Sequence, residues 1–373
     1  MKISELRLRE DYDAILQETL KRVVGGEGKA DQQWYEHPFF SVYVTRGFCQ
    51  AGIQFLQEQY RHTPHRMRRI VQGMGVELFG LRSVFERMIR PAFKLPAIEN
   101  ASYCMWMPGN QRLRRFDFKN RVVSVYGKAE FSDDGLRREI DFRMAHSERH
   151  DWILPILTLG THGFDEPLLD ATGLDRVRNA RNRQMGLNRA LMALDALHQY
   201  ENKEVTAAEY LEMKRAEFVH AEKQLQEKFM GISLEHVEKI WDLSSREVSQ
   251  VQKVELSLTH GDFQPGNVLI SNHDDRIWII DWEDIGVRAS IYDLMTWGLR
   301  SRFPRGLYNR VQSYLQTSQF DECRDITVHY NARVAVALWA IEEWIWLMQS
   351  SSRNGISEMN AGLVTHFKEI CQI

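Results

Sequence analysis

His260, Asp262, Asn267 and Asp281 fall within the stretch THGDFQPGNVLISNHDDRIWIIDWEDIG, residues 259–286. Asp262 follows His260 and Gly261, Asn267 stands at the entry to a strand, and Asp281 closes the next strand. These are the groups that transfer of a phosphoryl group to a hydroxyl requires. The hydroxyl must be oriented and relieved of its proton, and Mg²⁺ must bridge phosphate oxygens. Mg²⁺ takes hard oxygen ligands such as carboxylates and amide carbonyls. A hairpin of Val268–Ser271 and Arg276–Asp281, turning at Asn272-His273-Asp274-Asp275, returns its far end to its start. Asn267 and Asp281 can then share one cation while Asp262 stands beside it as base or orienter. A surface hairpin whose Asp and Asn residues only form turns is the plainer reading. The strand text on both sides and the distance to Asp281 favour the chemical one.

The elements that position this segment follow from the pattern on either side. Residues 1 to about 95 read mostly as helix. Ile70, Val71, Met74, Leu78, Leu81, Val84, Phe85 and Met88 recur near a 3.6-residue spacing. From about Ser102 the text turns β-branched and aromatic. It predicts strands over Tyr103–Met107, Leu113–Phe118 and Arg121–Tyr126, with turns at Pro108-Gly109-Asn110 and Lys119-Asn120. A helix from Gly135 to about Ser147 and a strand over Trp152–Leu159 complete a mixed lobe. After Thr172 the chain reads as helix again. Leu187, Leu191, Leu194, Leu197 and His198 form one stripe, and a long charged helix spans Ala207–Lys228. Everything after Ser290 reads as helices.

His260-x-Asp262-x4-Asn267 followed by Ile280-Asp281-Trp282-Glu283 resembles the aminoglycoside phosphotransferase and choline kinase family, whose fold is similar to that of protein kinases. The resemblance covers Leu187 to Leu299 and, more loosely, Ser102 to Leu159. It implies an α+β fold of two lobes, a small β-rich N-lobe over residues 96–165 and a larger helical C-lobe over 166–373. Residues 1–95 would be an additional helical segment. It further implies ATP and magnesium as cofactors, Asp262 as the catalytic aspartate, His260 as a buttress of its loop, and Asn267 and Asp281 as the metal ligands. Asp293, in Ile291-Tyr292-Asp293-Leu294, resembles the family's second structural aspartate.

The nucleotide-gripping end is less plainly written. Gly109 and Asn110 form the turn that would cradle phosphates, with a single glycine. Lys128, at the end of its strand, is the candidate for the lysine on the α- and β-phosphates. Ser124 stands nearer the expected place, and by alternation Ser124, Tyr126 and Lys128 share a face. Lys119 is the weaker alternative. Glu139 is the helix glutamate that would pair with the lysine, with Glu130 as its alternative. Glu283, Asp284, Glu342 and Glu343, with Trp339, Trp344 and Trp346, could line a pocket for a cationic or sugar-like substrate. The plainer reading is core tryptophans and solvated glutamates. His198 reads as a packed core histidine.

Composition sets the outer limits. The chain has 373 residues, 43% hydrophobic and 27% charged, with a net charge of -3, so no basic field points to nucleic acid. Four scattered cysteines without a C-x-x-C pair suit a reducing compartment. The charged N-terminus is not a signal peptide, and Val334–Met348, interrupted by Glu342 and Glu343, is too short and charged to span a membrane. A cytoplasmic location is expected. The arginines at 61, 66, 68, 69, 82, 87 and 90 could lie on an anionic membrane surface, although a solvated helix face is the ordinary reading. The expected partner is a hydroxylated small molecule: an antibiotic, sugar, amino alcohol or envelope glycan precursor. A protein kinase of the same superfamily and a non-catalytic, pseudokinase-like scaffold are the alternatives. Absence of an Ala-Pro-Glu segment after Asp281 weighs against the first.

Overall fold

The computed structural model describes residues 12–25, 31–60, 66–109, 111–228, 234–303, 305–320 and 328–354. The chain divides into two compact units, residues 1–178 with 269–279 and residues 179–268 with 280–373.

The first unit opens with α1 (Tyr12–Val24), β1 (Asp31–His37), β2 (Val42–Val44), α2 (Gln50–Tyr60), α3 (Arg66–Gly80), α4 (Arg82–Met88) and β3 (Arg90–Pro96). It continues through β4 (Cys104–Pro108), β5 (Arg112–Asp117), β6 (Val122–Gly127), α5 (Asp134–His146), β7 (Thr158–Gly160), β8 (Gly163–Pro167) and β9 (Ala171–Gly173). Eight of these strands form one antiparallel sheet in the order β3-β1-β2-β4-β5-β6-β8-β7. Side chains alternate across it and feed two cores. Met105, Met107, Phe116, Val123 and Val125 pack with Leu136 of α5 and with Ile53, Val76 and Phe85 of α2 to α4. Cys104, Trp106 and Leu113 pack with Tyr12, Leu16 and Leu20 of α1.

Residues 1–95 are therefore not a separate helical segment. Helices α1 to α4 are present, but β1, β2 and β3 belong to the same sheet as β4 to β8. The reason lies in β1. A register shift between Trp34 and Tyr35 breaks its alternation, so Trp34 and His37 are buried at a helix-like spacing. The predicted strand over Trp152–Leu159 is also mostly irregular. Its first half carries a single parallel bridge between Ile153 and Ile279, and regular pairing begins at Thr158.

The second unit begins with α6 (Ala180–His198), capped by Asn179 Oδ1, which accepts from the backbone N–H groups of Arg181 and Asn182. Next come β10 (Lys203–Thr206), α7 (Ala207–Lys228), α8 (Leu234–Val248) and β11 (Lys253–Thr259). The chain then enters the hairpin of β12 (Val268–Ser271) and β13 (Ile277–Ile279), where β12 pairs with β9 in the first unit. It returns through β14 (Gly286–Ala289), α9 (Tyr292–Gly298), α10 (Leu307–Thr317) and α11 (Ala332–Asn354). Strands β10, β11 and β14 make a small antiparallel sheet. Helix α11 is apolar on nearly every side and packs against α7 and α8. The protein is an α+β chain of two lobes, one built on a broad sheet and one mainly helical. Among the described residues no helix is long and apolar enough to cross a membrane.

Candidate active site

The HGD loop leaves β11 and is pinned from below by a helix start. Asp293, fully buried in the first turn of α9, accepts from the His260 N–H at 2.6 Å and the Gly261 N–H at 3.0 Å. Gly261 has φ +87°, in the left-handed region, and a Cβ there would fall 2.2 Å from the Asp284 carbonyl oxygen. The loop can turn so tightly because it carries glycine at that position.

His260 is wholly buried between Trp282, at 4.5 Å between ring centroids, and Phe263, at 6.0 Å. Its Nδ1 accepts from the Asp262 N–H at 3.2 Å, which assigns the ring proton to Nε2, where it is donated to the Ile280 carbonyl at 3.0 Å. The histidine thus joins the Asp262 loop to the residue immediately before Asp281. A second link runs in parallel, since Ile280 N–H donates to the Asn267 carbonyl at 3.0 Å. The hairpin ends are held together by both bonds.

Three donors fix the Asp262 carboxylate. Oδ2 accepts from Gln264 Nε2 at 2.7 Å and Asn267 Nδ2 at 3.0 Å, and Oδ1 accepts from Arg302 Nε at 2.5 Å. Asn267 Nδ2 also donates to the Asp262 carbonyl at 2.9 Å, so the amide nitrogen is committed to Asp262. Asp281 has φ +70° and ψ 55°, a conformation few non-glycine residues adopt and one that gathers at functional sites. Among the described residues no cluster of three or more His, Cys, Asp or Glu is arranged to hold a metal. An asparagine oxygen and one carboxylate instead suit Mg²⁺, which keeps waters and takes phosphate oxygens as its remaining ligands.

Arg302 carries no spacing signal that separates it from Arg300 or Arg305. Its guanidinium is buried and also binds the Gly261 carbonyl and Glu343. It lies 3.7 Å above the Trp346 ring. Burial opposes its charge, but Glu343, Tyr292 and Asp262 outweigh this and hold its pKa well above the ordinary arginine value. Glu343 also accepts from Tyr292 Oη at 2.8 Å.

The expectation of solvated glutamates on α11 is corrected here, because Glu342 and Glu343 are both buried. Glu342 is met by Lys214 Nζ at 3.1 Å, Tyr210 Oη at 3.2 Å and the Ala289 N–H at 3.1 Å. Two adjacent carboxylates in an apolar helix were the legible clue, since a buried carboxylate demands a cation. Trp339, Trp344 and Trp346 are core, with the Trp346 indole N–H donating to Asp284 Oδ2 at 2.9 Å. Burial lowers the pKa of His198, partly offset by Asp293 and Asp195.

In the first unit, Gly109 closes a tight turn by donating to the Arg112 carbonyl at 2.8 Å. Asn110 lies outside the described residues. Lys128 is buried, donates from Nζ to the Gly109 carbonyl at 2.5 Å, and sits 5.2 Å from the Tyr12 ring centroid. Burial lowers its pKa to about 7. Glu139 is not its partner. The Glu139 carboxylate is bound by Arg112 Nη1 and by Arg143 Nη1 at 2.9 Å, and Arg143 also holds Glu166 at 2.8 Å. Burial opposes the Glu139 charge, and the two arginines prevail and lower its pKa. The pairing fails because Lys128 serves the α1 face of the sheet and Glu139 serves the α5 face. Of the alternatives, Lys119 reaches Asn100 in an exposed turn, and Glu130 sits in a turn with φ +69°.

Comparison with known proteins agrees with the resemblance read from the motif. Residues 167–324 match the model of the phosphotransferase enzyme family. Similar solved structures include an ethanolamine kinase of Plasmodium vivax, at 12% identity over 86% of this chain and 94% of that one, with a TM-score of 0.47. A choline kinase of Cryptosporidium parvum matches at 15% identity, covering 73% of this chain and 90% of that one, with a TM-score of 0.43. An aminoglycoside phosphotransferase of Streptomyces rimosus matches at 15% identity, covering 64% and 92%, with a TM-score of 0.42. No curated protein matches the chain. The stretch 167–324, which is similar to the phosphotransferase enzyme family, contains His260, Asp262, Asn267, Asp281 and Asp293.

Proposed function

We propose that the chain is an ATP- and magnesium-dependent phosphotransferase whose acceptor is the hydroxyl of a small molecule. The carrying observation is the Asp262 carboxylate, held by Arg302, Asn267 and Gln264 on a loop that His260 ties to the start of Asp281. In this reading Asp262 receives the acceptor O–H, orients its oxygen for in-line attack and takes its proton as the new P–O bond forms and the bond from the γ-phosphorus to the β–γ bridging oxygen breaks, releasing ADP. Asn267 Oδ1 and Asp281 would hold Mg²⁺, which when bound neutralises charge on the phosphate oxygens. Asp293 and His260 keep the loop in place and touch no reactant.

The test is ADP release from Mg²⁺ and ATP across a panel of amino alcohols, amino sugars, sugars and aminoglycosides. At least one acceptor is expected to raise ADP release far above background. Asp262→Asn should abolish that increase while nucleotide binding persists, and Asp281→Ala should remove the metal dependence of binding. Nucleotide binding that ignores divalent metal, with no response to either substitution, would return the chain to the scaffold reading.

A further inference from the structure

The departure at the nucleotide end has a structural logic of its own, which rests on the phosphotransferase reading above. Strand β6 points successive side chains to opposite faces of the sheet. Val123 and Val125 face the core that contains Leu136 of α5, while Tyr126 packs on the core that contains α1. Lys128, two residues beyond Tyr126, follows the same face. Its ammonium lies by the Tyr12 ring, and the next N–H, that of Ala129, donates to Thr19 Oγ1 of α1 at 2.9 Å. Nothing on that face pairs it with the α5 glutamate. A buried lysine with a pKa of about 7 is also only partly charged at neutral pH.

The cation on the α5 face is Arg112. It is the first residue of β5, directly after the turn that Gly109 closes, so it stands at the foot of the candidate phosphate cradle. It meets Glu139, the glutamate of the helix packed on that face. Glu139 is shared with Arg143, which Glu166 and the Leu154 carbonyl hold in place. If Arg112 turns toward an incoming anion, Glu139 keeps Arg143 as one of its two cations. An arginine also offers a planar fork suited to phosphate oxygens, which a lysine lacks.

We propose that Arg112, from the return strand of the turn, is the cation that binds the nucleotide's phosphates, and that Lys128 braces the turn from the opposite face. Ser124, buried and hydrogen-bonded to Arg115 Nη2 at 3.2 Å, then has no phosphate to serve.

The experiment measures the affinities of ATP and of adenosine, each with Mg²⁺, by calorimetry on the full chain, with melting temperatures alongside. The ATP-to-adenosine affinity ratio isolates the phosphates from any general loosening of the fold. In Arg112→Met/Glu139→Gln, which leaves no unpaired carboxylate, this ratio should fall by about tenfold or more. Arg112→Lys, which keeps the charge and protects folding, should fall by a smaller factor in the same direction. Lys128→Met should change the ratio less than either. A ratio unchanged in both Arg112 variants, or one that collapses only in Lys128→Met, overturns the assignment. If the wild type binds neither ligand, the phosphotransferase reading falls and this one with it. Wild-type binding that is insensitive to Arg112 sinks this inference alone.

Discussion

Arg302 Nε meets Asp262 Oδ1 at 2.5 Å, and the same guanidinium is gripped by Glu343 of α11. The aspartate proposed for catalysis is therefore anchored to the hydrophobic core through one arginine. Arg302→Met should leave Glu343 buried without its cation and cost about 3–5 kcal/mol. Arg302→Met/Glu343→Met should recover part of that loss. Turnover should stay about a hundredfold down in both, because Asp262 has lost its positioning donor. Urea denaturation and ADP release measure the two effects separately. Full turnover in the double variant would mean that Arg302 serves stability alone.

The two glutamates of α11 should separate in function. Glu342 is tied to Lys214, Tyr210 and β14, and none of these touches Asp262. Lys214→Met should lower stability by about 3–5 kcal/mol and leave the KM for ATP unchanged well below the melting temperature. A large rise in KM would show that the Lys214 end of the helix feeds the site as well.

Gly261→Ala is expected to be severe for a single methyl. The residue sits at φ +87°, and the new Cβ would meet backbone, the Asp284 carbonyl, at 2.2 Å. Strain of about 1–3 kcal/mol and a loss of about a hundredfold in turnover should appear together. Circular dichroism should show the secondary structure retained. Normal turnover in Gly261→Ala would mean that the loop has a second workable conformation.

Lys128 gives stability a pH signature. Its folded pKa, lowered by burial to about 7, lies below the unfolded value of 10.5. Between those values the unfolded chain binds the extra proton. Stability from this group therefore rises with pH, by up to about 1.4 kcal/mol per unit. Below pH 7 the full cost of charging the buried amine is present, and above 10.5 it is gone. Wild type should gain on Lys128→Met as pH goes from 7 to 9 in paired denaturation curves. Parallel curves would show that the lysine stays charged when folded.

Much of the candidate site's geometry was legible because its residues are close in sequence. Asn267 and Asp281 flank one hairpin and Asp262 lies on the loop that enters it, so spacing and turn text alone bring them near one another. Two features defeated that kind of reading. Arg302 and Glu343 meet Asp262 only through tertiary packing, and no periodicity marks an arginine that will be buried. Lys128 and Glu139 fit the expected order along the chain but lie on opposite sheet faces, because strand parity sets the face of Lys128 while only tertiary packing sets the face that α5 covers. The strands of residues 31–96 were hidden for a local reason, the register shift in β1 that gives it a helix-like burial pattern.

The bond from Glu343 through Arg302 to Asp262 also sets an order of events during synthesis. The ribosome completes the HGD loop and its hairpin well before it makes α11. Until that helix emerges and docks, Arg302 lacks its buried counter-charge, and Asp262 has only its local donors Gln264 and Asn267. A nascent chain can thus fold its sheet, and even expose the finished hairpin, while the proposed phosphoryl-transfer centre still lacks its Arg302 anchor.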